Sequence, residues 1–93
     1  MPFEFDSVKD AENRSKHSYS LAAAVALFDG RFVEEEDVRF DYMETRFTAI
    51  GPIADLDNRL FVAVYTWRDG KRRIISFRKA NDREARKYRD NNA

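Results

Sequence analysis

The chain has no cysteine, two prolines, three glycines, one histidine and one tryptophan among its 93 residues. Without cysteine there is no disulfide framework, no thiolate metal site and no sulfur nucleophile. With His17 as the single histidine, a mechanism that uses two imidazoles as acid and base is excluded. No apolar run approaches the roughly 18 residues that a membrane-crossing helix needs. The opening MPFEFDSVKD also lacks the apolar stretch of a secretory signal. These absences lead to the expectation of a cytoplasmic protein with no membrane partner. Leu, Ile, Val and Phe supply 22 residues, eight of them Phe, so the core must be small and aromatic. One domain, 1–93, is expected, just above the roughly 70–80 residues below which a core usually needs a disulfide or a metal.

What is abundant is charge, and it is unevenly placed. Residues 1–58 hold 6 Lys/Arg against 13 Asp/Glu, whereas residues 59–93 hold 11 against 4, so a net charge of zero conceals an acidic half and a basic half. A segregated basic half points to an anionic partner, with nucleic acid foremost. The same split also suits a basic surface that docks an acidic protein.

The local pattern predicts an α+β domain in the order β-α-α-β-β-β-β-α. Phe3 and Phe5 flank Glu4 as a short strand. Asp6 is placed to cap a surface helix over 7–16. Ser20 caps the apolar stretch LAAAVALF, expected to be a buried helix, and Gly30 ends it in a left-handed turn. The acid run 34–37 reads as a solvated loop or strand edge. Four adjacent acids do not converge on one ion without a dedicated loop, and no metal or other cofactor is expected. Strands follow at 39–41 and 44–50, with Glu44, Arg46 and Thr48 on one face of the second. Gly51-Pro52 and 55–58 read as a loop. The strand over 60–67 is apolar on both faces and hence central. Asp69-Gly70 signals a hairpin returning through 71–77. Asn81 and Glu84 have the spacing of a capping box for a last helix, 82–90, anchored only by Ala85 and Tyr88. An antiparallel sheet with helices packed on one face is expected, around a core of Phe3, Phe5, Val25, Phe28, Phe47, Ile50, Val62, Val64 and Ile75.

These residues, taken in order, resemble the BrnT family of bacterial toxins. The resemblance runs through Phe3-Glu4-Phe5-Asp6, Lys9, Asn13, Lys16-His17, Ser20, Phe28, Glu44, Arg46 and Ala49-Ile50-Gly51. It is densest in VAVYTWRDGKRRIISFRKA, residues 62–80, and continues to Glu84 and Tyr88. It implies a RelE-like fold and an endoribonuclease that arrests growth. It also implies a BrnA-type antitoxin that carries a ribbon-helix-helix DNA-binding segment and represses the shared operon together with the toxin, so that operator DNA is met only through the antitoxin. Three positions depart from the family pattern: Phe5 stands for Trp, Ser18 for Gly and Phe77 for Ala. If residue 18 is left-handed, a side chain there costs on the order of 1 kcal/mol. The Phe77 ring either fills the core or reshapes the site beside it.

Metal-independent RNA cleavage needs a base for the ribose 2′-OH, a proton for the leaving 5′ oxygen and cations for the charge on phosphorus. His17 is the candidate base, because its pKa lies near working pH. Glu44 can accept a proton or orient His17 or Arg46, and Arg46 and Arg78 complete the candidate catalytic set. Lys16, Arg73 and Lys79 are candidate phosphate ligands, Arg because its planar fork matches phosphate oxygens. Arg73 and Arg78 lie an odd number of residues apart, which in a regular strand puts them on opposite faces. Tyr65, with Trp67 beside it, is a candidate platform for an RNA base. Arg83, Arg86, Lys87 and Arg89 make the last helix a surface for phosphate or for the antitoxin. The alternative to a ribonuclease is a non-catalytic nucleic-acid-binding or protein-interaction module, a degenerate toxin.

Overall fold

The computed structural model describes residues 2–38 and 43–91. The chain runs β1 (Phe3–Phe5), α1 (Ser7–His17), a 3₁₀ helix (Leu21–Asp29), β2 (Val33–Asp37), β3 (Arg46–Ile53), a 3₁₀ turn (Ala54–Leu56), β4 (Arg59–Arg68), β5 (Lys71–Lys79) and α2 (Asp82–Asn91). The five strands form one sheet in the order β1-β5-β4-β3-β2.

Local chemistry sets the boundaries. Asp6 caps α1 by accepting the Val8 N–H at 2.9 Å. At the other end Ser18 is left-handed, φ 72°, and its N–H closes on the Arg14 carbonyl. The 3₁₀ helix runs for nine residues, long for its kind. A reason lies in its spacing: Leu21, Ala24 and Leu27 are three apart, eclipse along one edge of a three-residue turn, and are all completely buried. Asp69 and Gly70 both take positive φ, as a type I′ hairpin requires. The Asn81–Glu84 capping box closes in both directions, Glu84 N–H to Asn81 Oδ1 at 2.8 Å and Asn81 N–H to Glu84 Oε1 at 2.9 Å.

The core lies between the sheet and the layer of α1 and the 3₁₀ helix. Phe61, Ala63 and Tyr65 of β4 face it, with Ile74 and Phe77 of β5 and Ala49 and Ile53 of β3. Phe61 and Phe77 stack at 5.0 Å, and Tyr19 meets both rings edge-on. Phe77 is therefore a core residue, completely buried.

Several expectations need correction. The sheet is mixed, because β1 pairs with β5 in parallel. Helices lie on both faces: Arg83, Glu84 and Lys87 of α2 line a cavity of about 440 Å³ whose other wall is Thr48, Ile50 and Val64, side chains that alternate away from the core. Of the two readings of the acid run, loop or strand edge, the second holds, since it is the edge strand β2, and the strand expected at 39–41 lies outside the described residues. Along β2 the acids alternate, Glu34 and Glu36 to one face and Glu35 and Asp37 to the other, so they do not converge. Gly51 and Pro52 belong to β3. A Cβ on Gly51 would meet the Arg31 carbonyl and Phe32 at 3.1 Å, and Pro52 is tolerated because β2 stops pairing at Ile50. Gly30 is extended, not left-handed. The apolar 3₁₀ segment is buried along one edge only, which leaves Val25 outside the core. Val64 and Ile75 are also only partly buried. Val64 faces α2, and Ile75 is the extra residue of a β-bulge that interrupts the β4–β5 register between Val64/Ser76 and Tyr65/Ile74. Ile50 and Val62 are buried as expected, and Phe3, Phe5, Phe28 and Phe47 pack partly buried against the core.

Candidate active site

The site is built where α1 ends beside the last residues of β5. Beyond Ile74, no described strand pairs along that edge of β5, since β1 pairs only with Arg72, Arg73 and Ile74. A side chain takes the place of a strand: buried Asn13 accepts the Phe77 N–H at 3.0 Å and donates to the Phe77 carbonyl at 2.8 Å. Its amide also donates to the Tyr19 carbonyl at 2.8 Å, which ties down the turn after the helix. Asp10 tightens the same turn by accepting from Leu21 N–H and Ser20 Oγ; these bonds, the Leu21 N–H first, hold its carboxyl below the ordinary aspartate value.

So fixed, the end of α1 delivers His17 and the strand delivers Arg78 and Lys79 to one open pocket of about 290 Å³, with Ser18 and Tyr19 completing its lining. Lys16 is the exposed neighbour of His17. Partial burial penalises the imidazolium form, and the charges of Lys16 and Arg78 add to that, so the His17 pKa lies below the ordinary histidine value. The shift favours the unprotonated imidazole, the form required of a base. Arg78 is anchored on its far side by Glu84, with Nη1 to Oε1 and Nη2 to Oε2 both at 2.8 Å, and Nη1 also donates to the Lys79 carbonyl at 3.2 Å. The guanidinium, more than any other group, holds the Glu84 carboxyl below its ordinary value.

Of the eight site residues expected from the sequence, this pocket unites His17, Arg78 and Lys79, with Lys16 adjoining. The other four stand elsewhere. Glu44 precedes β3 in a bend and forms an ion pair with Arg68 at 3.6 Å. Arg68 is six residues along β4 from Val62, the partner of Arg78, a separation of roughly 20 Å along an extended strand. Glu44 therefore neither orients His17 nor shares a strand face with Arg46. Arg46 lies opposite Asp37, four residues along β3 from the partner of Val62, or roughly 13 Å away. Arg73 is bound to Glu4 at 2.8 Å and Asp6 at 3.6 Å. Tyr65 is completely buried, with its hydroxyl on Glu34 and its ring against Phe28 and Phe47, so it is a core residue and no platform for a base.

The parity argument for Arg73 and Arg78 also gives way. Arg73 pairs with Thr66 and Arg78 with Val62. Ile75 absorbs one residue at the bulge, and both arginines project from the same face, the side away from the core. Among the described residues, no group of three or more His, Asp or Glu side chains is placed to hold a metal ion.

The family model for the BrnT ribonuclease toxin of type II toxin–antitoxin systems matches residues 5–84. The chain belongs to the BrnT family. The match spans the Asn13 clamp, the pocket and the Arg78–Glu84 pair, and it stops at Glu84. The fold is similar to that of the Brucella abortus ribonuclease toxin BrnT, with a TM-score of 0.62 over 88% of this chain and 99% of that one, at 20% sequence identity. No curated protein matches the chain in sequence. Membership adds a cognate antitoxin to what is known of this chain, since a type II toxin is paired with one. No described helix is long and apolar enough to cross a membrane.

Two residues that build the site escaped the sequence reading. Asn13 sits in a helix with little apolar signal, and nothing local announces that one polar side chain there is buried. Glu84 was legible as a cap, but its second contact depends on how sharply the chain turns between β5 and α2.

Proposed function

We propose that this chain is a metal-independent endoribonuclease whose site is the His17–Arg78–Lys79 pocket. Neutral His17 removes the proton of a ribose 2′-OH. The freed oxygen attacks the adjacent phosphorus, and the bond from phosphorus to the 5′ oxygen breaks, leaving a 2′,3′-cyclic phosphate. The departing 5′ oxygen takes its proton from the imidazolium or from a lysine at the rim. Arg78 and Lys79, with Lys16 beside them, meet the extra negative charge on phosphorus. The observation that carries this reading is the convergence of the single imidazole and two strand-borne cations on one open pocket.

The chain acts in the cytoplasm. Its partner is a BrnA-type antitoxin with a ribbon-helix-helix segment, and it reaches operator DNA only through that partner. Cleavage of a mixed single-stranded RNA by the purified chain in EDTA tests the proposal, beside folded His17→Ala and Arg78→Ala variants. Cleavage by the parent that is lost in both variants is expected. Binding without cleavage, in a preparation free of antitoxin, would favour a degenerate toxin instead.

A further inference from the structure

Glu84 does two things with one carboxylate. Oε1 accepts the Asn81 N–H at 2.9 Å and Arg78 Nη1 at 2.8 Å, while Oε2 accepts Arg78 Nη2 at 2.8 Å. The carboxylate is thus fixed to the backbone of the turn that starts α2. That turn is pinned to the sheet by the Ala80 N–H on the Leu60 carbonyl at 2.9 Å. Arg78, six residues back and on the strand, receives the far end of this bracket. In the ion pair the Glu84 side chain is 17% exposed and that of Arg78 is 32% exposed. The pair therefore lies under α2 and not on open surface.

We propose that Glu84 is a positioning residue: held by the N-terminal turn of α2, it sets the Arg78 guanidinium at the edge of the His17 pocket. This rests on the reading of that pocket as the cleavage site. An arginine on the end of a strand has four side-chain torsions to arrange, and a two-point contact with an immobilised carboxylate arranges them before substrate arrives. The helix lends no side chain to His17's pocket, yet it governs one of the groups that face phosphate. This gives a helix without a single buried residue among those described a part in the chemistry.

The bracket separates cleanly into its two halves. Glu84→Gln keeps a carbonyl oxygen for the Asn81 amide, since capping boxes accept Gln, but sets an NH₂ against Arg78 Nη2. Asn81→Ala removes the reciprocal cap and loosens α2, while the backbone N–H at 81 and the Glu84 carboxylate stay. The readouts on the full chain are kcat and KM for RNA cleavage, helix content by circular dichroism, and the titration of His17 by proton NMR, which gives one imidazole signal because the chain has one histidine.

In Glu84→Gln we expect kcat to fall about tenfold or more through misplacement of Arg78, with KM moving less and helix content kept. The charges acting on His17 are those of Lys16 and Arg78, so its titration should move towards that of Arg78→Ala. Asn81→Ala should lose helix content and retain most of kcat. Equal losses of kcat in Glu84→Gln and Asn81→Ala would overturn the proposal in favour of helix stability alone. A parental kcat and His17 titration in Glu84→Gln, with both altered in Arg78→Ala, would reduce Glu84 to a cap. If Arg78→Ala cleaves like the parent, the assignment of the site has failed. The His17 titration of Glu84→Gln then decides by itself whether Glu84 holds Arg78: a shift towards Arg78→Ala supports the bracket, and a parental curve refutes it.

Discussion

Arg73 and Arg78 occupy one strand and one face of the sheet, and they differ in what holds them. Arg73 is gripped by Glu4 and Asp6 at the strand edge and cap that open the fold. Arg78 is gripped by Glu84, which belongs to a helix with only half-buried anchors, and it borders an open pocket with the single histidine. Two acids at a rigid edge consume the first guanidinium in holding β1 to β5. Glu84, on a lightly docked helix, holds the second beside an open pocket that it shares with His17. Residue type, strand and face are shared, so the difference in role comes from the stiffness of the partner and from what lies next to the cation.

The sharpest way to break this comparison is to remove each arginine in turn. Arg78→Ala is expected to lower kcat by about 10²–10³, the effect of deleting one preorganised donor to the transition state, with a small change in melting temperature. Arg73→Ala should reverse the pattern, costing about 1 kcal/mol of stability through the lost pair while cleavage of RNA stays near parental. If Arg73→Ala abolishes cleavage in a folded protein, the division of labour is wrong.

Next in size is the clamp that makes the Arg78 end possible. Asn13→Ala strands the Phe77 N–H and two carbonyls, and at about 1–3 kcal/mol for each buried group left unpaired denaturant unfolding should show a loss of about 3 kcal/mol or more. A loss no greater than that of an exposed α1 substitution would show that water replaces the amide. Smaller and of opposite sign is Ser18→Gly. Residue 18 is left-handed, so glycine there should raise stability by up to about 1 kcal/mol, measured by the same unfolding.

The subtlest effect is pH dependence. The folded His17 pKa lies below its ordinary 6.5, through burial first and then Lys16 and Arg78, so the unfolded chain takes up the proton sooner. The stability linked to this group is therefore complete above the unfolded value and is lost as pH falls through it towards the folded one. The acid limb of kcat/KM, which reports the free enzyme, should likewise fall below 6.5, and Lys16→Ala should move it upward. A limb at or above the ordinary histidine value would remove His17 as the base.

Features governed by neighbours in sequence were legible before the structure. The Asp6 and Ser20 caps, the Asp69-Gly70 hairpin and the Asn81–Glu84 box each depend on a few adjacent residues, and each forms. The features missed depend on distant ones. β4 is apolar on both faces, and only the sheet shows that Phe61, Ala63 and Tyr65 meet the deeper layer. Tyr65 was an equally good aromatic for RNA until Glu34, thirty-one residues away, claimed its hydroxyl. β2 carries almost no apolar signal, so the acid run 34–37 read as either a solvated loop or a strand edge, and only the sheet decides for the strand. In the site, His17, Arg78, Lys79 and Lys16 were singled out for the chemistry they allow, and the first three line one pocket. Glu44 and Arg46 were misplaced because strand parity says which side chains share a face but not how far apart two strand ends lie.

The bulge at Ile75 sets the phase of everything after it. Were β5 to keep all its residues and pair with β4 as a regular ladder beyond Ile74, the end of the strand would turn over, driving the Arg78 charge into the aromatic layer and ejecting the Phe77 ring into water. Removing Ile75 would instead join Ile74 to Ser76, whose partners Tyr65 and Val64 are already adjacent, and would leave both faces as they are. The one extra residue is therefore what lets Ile74 and Phe77, three apart in sequence, both face the core at the place where the chemistry is proposed to occur.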